Sequence, residues 1–159
     1  MEKERMDDMK KIVFVCLGNI CRSPMAEGMF IQMIQEKGLS HAFHVESRAT
    51  SSWEIGNPPH RGTQQILNRI GYDWRGKKAQ QINASDFDSF DVVIAMDHQN
   101  VNDLKRIAGN NKHKIHLMLD IDPNRKGEIV PDPYYDGTHE ETYRLLSEAL
   151  PLWFKALTT

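Results

Sequence analysis

The run at residues 11–16, Lys-Ile-Val-Phe-Val-Cys, restricts the fold more than any other segment of the chain. It has the length of a β-strand, and its β-branched and aromatic side chains make both faces apolar. Strands of this kind lie in the centre of parallel sheets, where helices cover both sides. The run ends at a Gly-Asn turn, after which Ser23 and Pro24 predict the N-cap and first residue of a helix that Gly38 ends. The chain is therefore predicted to begin with a strand, a tight loop and a helix.

The alternation of strands and helices continues along the chain. Strands are predicted at residues 43–47, 91–96 and 115–119, with helices through Ile66 to Gly71, at residues 98–108, and from about Thr138 onward. Pro151 predicts a kink in the last helix, because proline removes a backbone donor and crowds the preceding turn. Alternating elements favour a parallel sheet with right-handed crossovers, which binds ligands at the carboxyl ends of its strands. The loop after the first strand is therefore the predicted site.

Length and charge exclude several classes of protein. A chain of 159 residues is predicted to form one domain, at residues 11–159, with residues 1–10 as a charged tail outside it. Its 20 Lys and Arg residues, against 22 Asp and Glu, provide no broad basic field for nucleic acid. The apolar run near the N-terminus is too short for a signal peptide or a membrane span. A cytoplasmic protein with no membrane or nucleic-acid partner is expected.

The chain has two cysteines, Cys16 and Cys21, and both lie in one short segment. They cannot cross-link a framework, and four zinc ligands cannot be assembled from them unless distant histidines converge on this segment. Chemistry rather than scaffolding is therefore the predicted role of the pair. For Cys21, packing as a small apolar side chain and redox partnership with Cys16 are equal alternatives.

The loop at residues 16–24 combines the features of an anion site. Cys16 ends the strand, and Gly18 and Asn19 tolerate the left-handed backbone that lets successive amide groups point into one concavity. Arg22 stands where the helix begins, so its guanidinium and the positive end of the helix dipole face the same concavity. Such a site favours phosphate, and the same charges stabilise a nucleophilic thiolate at Cys16. The alternative is an ordinary strand-to-helix turn with a buried cysteine and a surface arginine.

This loop closely resembles the phosphate-binding loop of the low-molecular-weight protein tyrosine phosphatases, and the resemblance covers almost the full chain. Residues 51–59 resemble the family's variable loop, residues 92–97 its third strand, and residues 130–135 its general-acid loop. The resemblance implies a three-layer α/β fold, in which helices flank a four-stranded parallel sheet of flavodoxin-like or Rossmann-like topology. It also implies a metal-independent hydrolase, without cofactor, that acts on phosphotyrosine proteins or small aryl phosphates.

The resemblance also assigns roles to individual residues. Cys16 is the expected nucleophile, which forms a phosphocysteine, Arg22 clamps the phosphate oxygens, and Asp132 protonates the leaving phenol and then acts as a base. Ser23 is expected to ease the departure of the Cys16 thiolate, or only to cap the helix. The residues expected to bind phosphate or substrate are Leu17, Gly18, Asn19, Ile20, Cys21, Ser23, Trp53, Tyr134 and Tyr135. Among them, Asn19 is expected to brace the loop, and the three aromatic residues are expected to form the walls of a slot for a phenyl ring. No metal ligand is expected, and oxidation to a Cys16–Cys21 disulfide is predicted.

The sequence departs from the family pattern beside the loop. Residues 47–49 read Ser-Arg-Ala where Ser-Ala-Gly is common, which bears on substrate access, and His60 stands where an aspartate is frequent.

Three other functions remain as alternatives. An arsenate reductase of the same superfamily uses further cysteines downstream, and here none follows Cys21. A protein-arginine phosphatase has threonine at the position of Ile20, and a non-catalytic phosphate-binding module would lack the nucleophile, the arginine or the acid.

Overall fold

The computed structural model describes residues 9–159, so residues 1–8 of the predicted tail lie outside the described residues. The first strand begins at Lys10, one residue earlier than predicted. The strands are β1 (Lys10–Cys16), β2 (Phe43–Ala49), β3 (Val92–Ala95) and β4 (Ile115–Leu117). The α-helices are α1 (Arg22–Glu36), α2 (Arg61–Ile70), α3 (Asp86–Ser89), α4 (His98–Ile107) and α5 (His139–Leu157). Short 3-10 helices at Ser40–Ala42, Gly109–Lys114 and Met118–Ile121 lie beside β2 and β4.

The four strands form one parallel sheet in the order β2-β1-β3-β4. The chain leaves β1 for β2 on one side and later returns to β3 on the other side. The direction of winding therefore reverses between β1 and β3, and a crevice opens there at the carboxyl ends of the strands. The predicted four-stranded parallel sheet is confirmed, and Cys16, the last residue of β1, lies at this crevice.

The alternating side chains of β1 divide the core into two layers. Ile12 and Phe14 are fully buried in a cluster with residues of α1 and α5. Val13 and Val15 are equally buried on the opposite face, in a cluster that includes Leu104 of α4. Helices therefore cover both faces of the sheet, as the wholly apolar sequence of β1 predicts.

Several predicted elements differ from the structure. The helix α5 continues through Pro151 as a single element of 19 residues, so the proline does not divide it. Trp153 holds this part of the helix against the sheet, since its Nε1 donates a hydrogen bond of 2.8 Å to the carbonyl of Met118. The strand predicted at residues 115–119 ends at Leu117, because the chain turns there into a 3-10 helix. No helix in the described part of the chain is long and apolar enough to cross a membrane.

Candidate active site

The loop between β1 and α1 closes tightly over the end of the central strand. Asn19 has a left-handed backbone, with φ of 58°, as its residue type allows. Gly18, which also tolerates this conformation, does not adopt it. Its small size has a different reason, because a Cβ atom there would lie 3.3 Å from Cγ of Glu54. A larger residue at position 18 would therefore push against the loop that carries Glu54.

Ser23 does not cap α1, and the prediction that it does is wrong. The helix already begins at Arg22, with Cys21 as the N-cap residue. The hydroxyl of Ser23 lies 3.1 Å from Sγ of Cys16, and the Ser23 amide lies 3.4 Å from the same sulfur. The Cys16 sulfur therefore faces a hydroxyl and a backbone amide in the first turn of α1, where the helix dipole favours negative charge.

The side chain of Asn19 connects the loop to its surroundings. Its Nδ2 donates to the hydroxyls of Ser23, at 2.8 Å, and Ser47, at 2.9 Å. Its Oδ1 accepts from the amide of Gln80 at 3.0 Å. Because Ser23 accepts a hydrogen bond from Asn19, its own proton can be donated either to the Cys16 sulfur, at 3.1 Å, or to the carbonyl of Arg48, at 3.5 Å.

Arg22 is buried, with only 1% of its surface exposed. Its Nη1 donates to Oδ2 of Asp97, at 2.7 Å, and to the carbonyl of Val130, at 2.9 Å. Its Nη2 lies 3.6 Å from Oδ2 of Asp132. Among the described residues, Nε of Arg22 is a buried donor without a hydrogen-bond partner. The edge of the guanidinium that carries Nε and Nη2 can therefore bind two oxygens of an anion.

The charge of Arg22 is stabilised by the acidic groups around it. Burial alone would lower the pKa of Arg22, but Cys16, the hydrogen bond to Asp97, and the charges of Asp97 and Asp132 together raise it. The contact between Arg22 and Asp97 was not predicted from the sequence. The available signal was the position of Asp97 directly after β3, since β3 is next to β1 and the carboxyl ends of parallel strands meet at one edge.

A cleft of about 190 Å³ opens over the loop. It is lined by Cys16, Leu17, Gly18, Ile20, Cys21, Arg22, Trp53, Glu54, Asp132, Tyr134 and Tyr135. The cleft thus brings together ten of the twelve predicted site residues, while Asn19 and Ser23 lie buried behind the loop. Glu54 is the one lining residue that sequence analysis did not select, although it directly follows Trp53.

Aromatic side chains stand at the mouth of the cleft rather than in the core. Trp53 is 75% exposed, Tyr134 45% and Tyr135 85%. The rings of Tyr134 and Tyr135 meet edge to face, with their centroids 5.0 Å apart. Tyr134 also contacts the ring of His60 at 5.6 Å. The mouth therefore offers apolar ring surfaces to a flat group that enters the cleft.

Asp132 lies on the opposite wall of the cleft from the loop. Its Oδ1 accepts a hydrogen bond of 3.0 Å from the amide of Tyr134, and its Oδ2 is the atom close to Arg22. The backbone before it is held by Val130, which is fully buried and whose amide donates to the carbonyl of Met96 at 2.9 Å. The carboxylate is thus presented from a segment that is tied to the end of β3.

Cys21 differs from Cys16 in its surroundings, although both are free and buried. Cys21 packs with Ile20 and Ala79 in a small apolar cluster. Burial raises the pKa of Cys21 strongly, and the nearby Cys16, Asp132 and Glu54 raise it further, while Arg22 opposes them. Cys21 is therefore a neutral thiol at physiological pH.

A parallel sheet with an arginine-lined cleft at its reversal point is the architecture of an α/β protein that binds an anionic ligand there. The family model described as low molecular weight phosphotyrosine protein phosphatase matches residues 11–159, and the chain belongs to this family. Membership makes it a hydrolase of the protein-tyrosine-phosphatase type, as the sequence resemblance predicted.

Individual relatives agree with this assignment. The low molecular weight protein-tyrosine-phosphatase YfkJ of Bacillus subtilis is 45% identical over 139 residues, which are 87% of this chain and 89% of that protein. PtpA of Staphylococcus aureus, another protein of that description, is 41% identical over 138 residues, 87% of each chain. The crystal structure of YfkJ superimposes with a TM-score of 0.90, covering 94% of this chain and 95% of that one. The structure of drosophila arginine phosphatase is 29% identical, with a TM-score of 0.86 over 94% of this chain and 98% of that one.

Proposed function

We propose that the protein hydrolyses phosphotyrosine through a covalent phosphocysteine on Cys16. The observation that carries this proposal is the arrangement around the Cys16 sulfur. Ser23 presents a hydroxyl and an amide to it, and the free edge of Arg22 and the carboxyl group of Asp132 face the same cleft. Nucleophile, anion clamp and acid thus surround one space.

Binding of the phosphoryl group comes first. The Nε and Nη2 edge of Arg22 holds two phosphate oxygens, and the amides of the loop at residues 17–22 receive the others. Asp97 and the Val130 carbonyl hold Nη1, so the guanidinium is oriented before the substrate arrives. Such preorganised donors act on the charge that develops in the transition state without having to reorganise.

In the first chemical step, the Cys16 thiolate attacks phosphorus and the bond from phosphorus to the phenolic oxygen breaks. Asp132 gives its proton to that oxygen, so neutral phenol leaves and Asp132 becomes a carboxylate. In the second step, water attacks the phosphocysteine while Asp132 takes a proton from it. The sulfur leaves as a thiolate that the Ser23 hydroxyl stabilises by donating to it, and inorganic phosphate is released.

The shape of the cleft supports phosphotyrosine as the substrate. The phosphate site lies at the floor, beside Cys16, and Trp53, Tyr134 and Tyr135 stand at the mouth. A side chain must be long and flat to place its phosphate on the floor while its ring contacts these aromatics. Phosphoserine and phosphothreonine are too short to do so.

Acid-quenched mass spectrometry tests the mechanism. During turnover of p-nitrophenyl phosphate with EDTA present, we expect phosphate on the peptide that contains Cys16. Cys21→Ser is the matched control, because it changes the other thiol of the same loop and should retain the phosphopeptide. Turnover by Cys16→Ser, or phosphate at another residue, would exclude the covalent mechanism.

A protein-arginine phosphatase is the second candidate, and the structural likeness to drosophila arginine phosphatase supports it. Against it stands Ile20, an apolar side chain in the cleft, 7% exposed, that cannot accept hydrogen bonds from a guanidinium. The two activities are distinguished by the ratio of their kcat/KM values.

The Cys16–Cys21 disulfide stays a prediction of the sequence, to be checked by peptide mapping after mild peroxide.

A further inference from the structure

Cys21, His60 and His139 converge behind the phosphate-binding loop. One ligand atom of each, a sulfur and two ring nitrogens, lies within 4.8 Å of the other two. The three residues come from separate parts of the chain. Cys21 is the N-cap residue of α1, His60 is the N-cap residue of α2, and His139 is the first residue of α5. Two cysteines alone cannot form a zinc site, but here two histidines from distant parts of the chain approach Cys21, as such a site requires.

A second, independent observation is that one ring nitrogen of His139 is buried without a hydrogen-bond partner among the described residues. The residue is only 5% exposed, and within residues 9–159 its Nε2 is a buried polar atom with no hydrogen-bond partner. Its ring stacks on that of His60, with centroids 4.9 Å apart and planes 15° from parallel. A buried nitrogen without a partner destabilises the fold unless it has a ligand to bind.

We propose that Cys21, His60 and His139 form a binding site for Zn²⁺, with water as the fourth ligand. One thiolate and two imidazoles are a donor set that suits zinc, and none of the carboxylates in residues 9–159 belongs to this cluster, whereas calcium and magnesium need oxygen ligands. In tetrahedral zinc sites the ligand atoms lie about 3.3–3.6 Å apart, and because these atoms already lie within 4.8 Å of one another, each pair needs to close by no more than about 1.5 Å on binding. The Cys21 proton passes to solvent as the zinc–sulfur bond forms.

The state of the two imidazoles sets the cost of binding. His139 is buried and its Nε2 has no hydrogen-bond partner among the described residues, so this nitrogen has a lone pair to offer when the ring is neutral. Nδ1 of His60 already accepts a hydrogen bond of 3.1 Å from the amide of Gly62. A neutral imidazole has only one such lone pair, so zinc displaces this cap of α2. The Gly62 amide is then left to water, as first-turn amides often are.

The site borders the catalytic cleft at Cys21, but its ability to bind zinc does not depend on the proposed chemistry. Cys21 lines the catalytic cleft, whereas His60 and His139 line a second depression, whose charged residues are Arg61 and Glu140. Neither Cys16 nor Arg22 is a ligand. Zinc at this site would occupy the Cys21 thiolate and so prevent it from forming a disulfide with Cys16.

Cobalt provides the direct test, because Co²⁺ replaces zinc and absorbs when a thiolate binds it. Titration of the zinc-free protein should give one Co²⁺ per chain, with a thiolate-to-cobalt charge-transfer band that added Zn²⁺ removes. Cys16→Ser should keep this band and Cys21→Ser should lose it. The reverse pattern would place the ion on the catalytic cysteine and overturn the proposal. Since the readout is spectroscopic, it stands whether or not the proposed phosphatase mechanism holds.

Substitution of the histidines tests the other two ligands. His60→Gln and His139→Gln should each weaken Zn²⁺ binding more than about 100-fold, beyond the loss expected for a residue that only supports a ligand. His113→Gln is the control, because it changes an exposed histidine on the 3-10 helix Gly109–Lys114. Unchanged zinc affinity in both variants would overturn the proposal. If they do not fold, thermal unfolding decides it: zinc should raise the midpoint of Cys16→Ser but not that of Cys21→Ser.

Discussion

Nη2 of Arg22 lies 3.6 Å from Oδ2 of Asp132, so the loop that binds phosphate and the segment after β4 meet across the cleft. The same segment holds Arg22 through the carbonyl of Val130, and Val130 in turn is bound to Met96 at the end of β3. A phosphoryl group on the free edge of Arg22 is therefore within reach of the Asp132 carboxyl group. Arg22, the proposed clamp, and Asp132, the proposed acid, are therefore positioned by one connected set of contacts.

Replacement of Arg22 by lysine should lower kcat/KM by about 10²–10³-fold, the loss typical of removing a transition-state donor. A single ammonium group cannot reach Asp97, the Val130 carbonyl and two phosphate oxygens at once, although it keeps the charge. Steady-state kinetics with p-nitrophenyl phosphate measures the loss. Arg61→Lys, at an exposed position on α2, is the control and should retain full activity. Equal activity of the two variants would mean that Arg22 acts only as a charge.

Asp132→Asn should slow phosphoryl transfer by about 10²–10⁴-fold for phenyl phosphate and far less for an ester of an acidic phenol. The difference arises because protonation matters most for a basic leaving oxygen. Burst kinetics across a series of aryl phosphates measures it. Asp136→Asn is the control, because the Asp136 carboxylate accepts from Thr138 rather than facing the cleft. A loss independent of the leaving group would rule out Asp132 as the acid.

Asp97→Asn should lower the free energy of unfolding by about 3 kcal/mol, which is the lower end of the range of losses for a broken buried ion pair. Asparagine keeps an oxygen for the Asn100 amide, which Asp97 caps at 2.8 Å, but removes the charge opposite the buried Arg22. Urea unfolding measures the change. Asp103→Asn, which breaks the exposed pair with Arg106 on α4, should change stability by less than about 1 kcal/mol. Similar losses in both variants would contradict the role given to Asp97.

Stability should decrease as the pH falls below about 6.5, and His139 should contribute to this decrease. Burial and the nearby His60 lower the pKa of His139, against the opposing effects of Gly137, Asp132 and Asp136. The unfolded chain therefore takes up a proton in this range that the folded chain does not. Burial lowers the pKa of His116 too, with the same sign.

Urea unfolding at several pH values, with a chelator present, measures this dependence. His139→Phe should make the decrease shallower without abolishing it, because His116 still contributes. The substitution also removes a buried nitrogen without a partner, so it should cost little stability at neutral pH. An unchanged slope would show that His139 does not titrate as its burial implies.

The sequence predicted what local pattern controls and missed what depends on contacts between distant segments. The apolar faces of β1 and the turn after it are visible in adjacent residues, so the central strand and the phosphate loop are predictable. The contact of Arg22 with Asp97 exists only because β1 and β3 are neighbours in the sheet. The four residues of α3 are too few for a helical period to be recognised.

At Ser23 a local prediction was wrong, and at Pro151 a residue preference was outweighed, in both cases because of tertiary contacts. Ser23 has the residue type of an N-cap, but its hydroxyl is engaged by Cys16 and Asn19, and the helix begins before it. Pro151 disfavours a helix interior, yet packing of Leu150 and Trp153 on the core keeps α5 continuous. Residue preferences are weak compared with the burial of large apolar side chains.

Selectivity against phosphoarginine should depend on Ile20. This side chain lies in the cleft beside Cys21 and is almost fully buried, so it offers packing to a phenyl ring and no acceptor to a guanidinium. Burying unpaired guanidinium donors costs about 1–3 kcal/mol, which corresponds to roughly 5- to 150-fold in selectivity.

Ile20→Thr therefore should gain phosphoarginine activity and lose phosphotyrosine activity, because the hydroxyl accepts a hydrogen bond and the lost methylene removes ring contact. Ile20→Val is the matched control, since it has the shape of threonine without the hydroxyl and should not gain phosphoarginine activity. Kinetics on a pair of peptides that differ only in the phosphorylated residue gives the ratio of kcat/KM values. If the unmodified enzyme hydrolyses phosphoarginine as fast as phosphotyrosine, Ile20 does not set the preference and the arginine phosphatase becomes the better assignment.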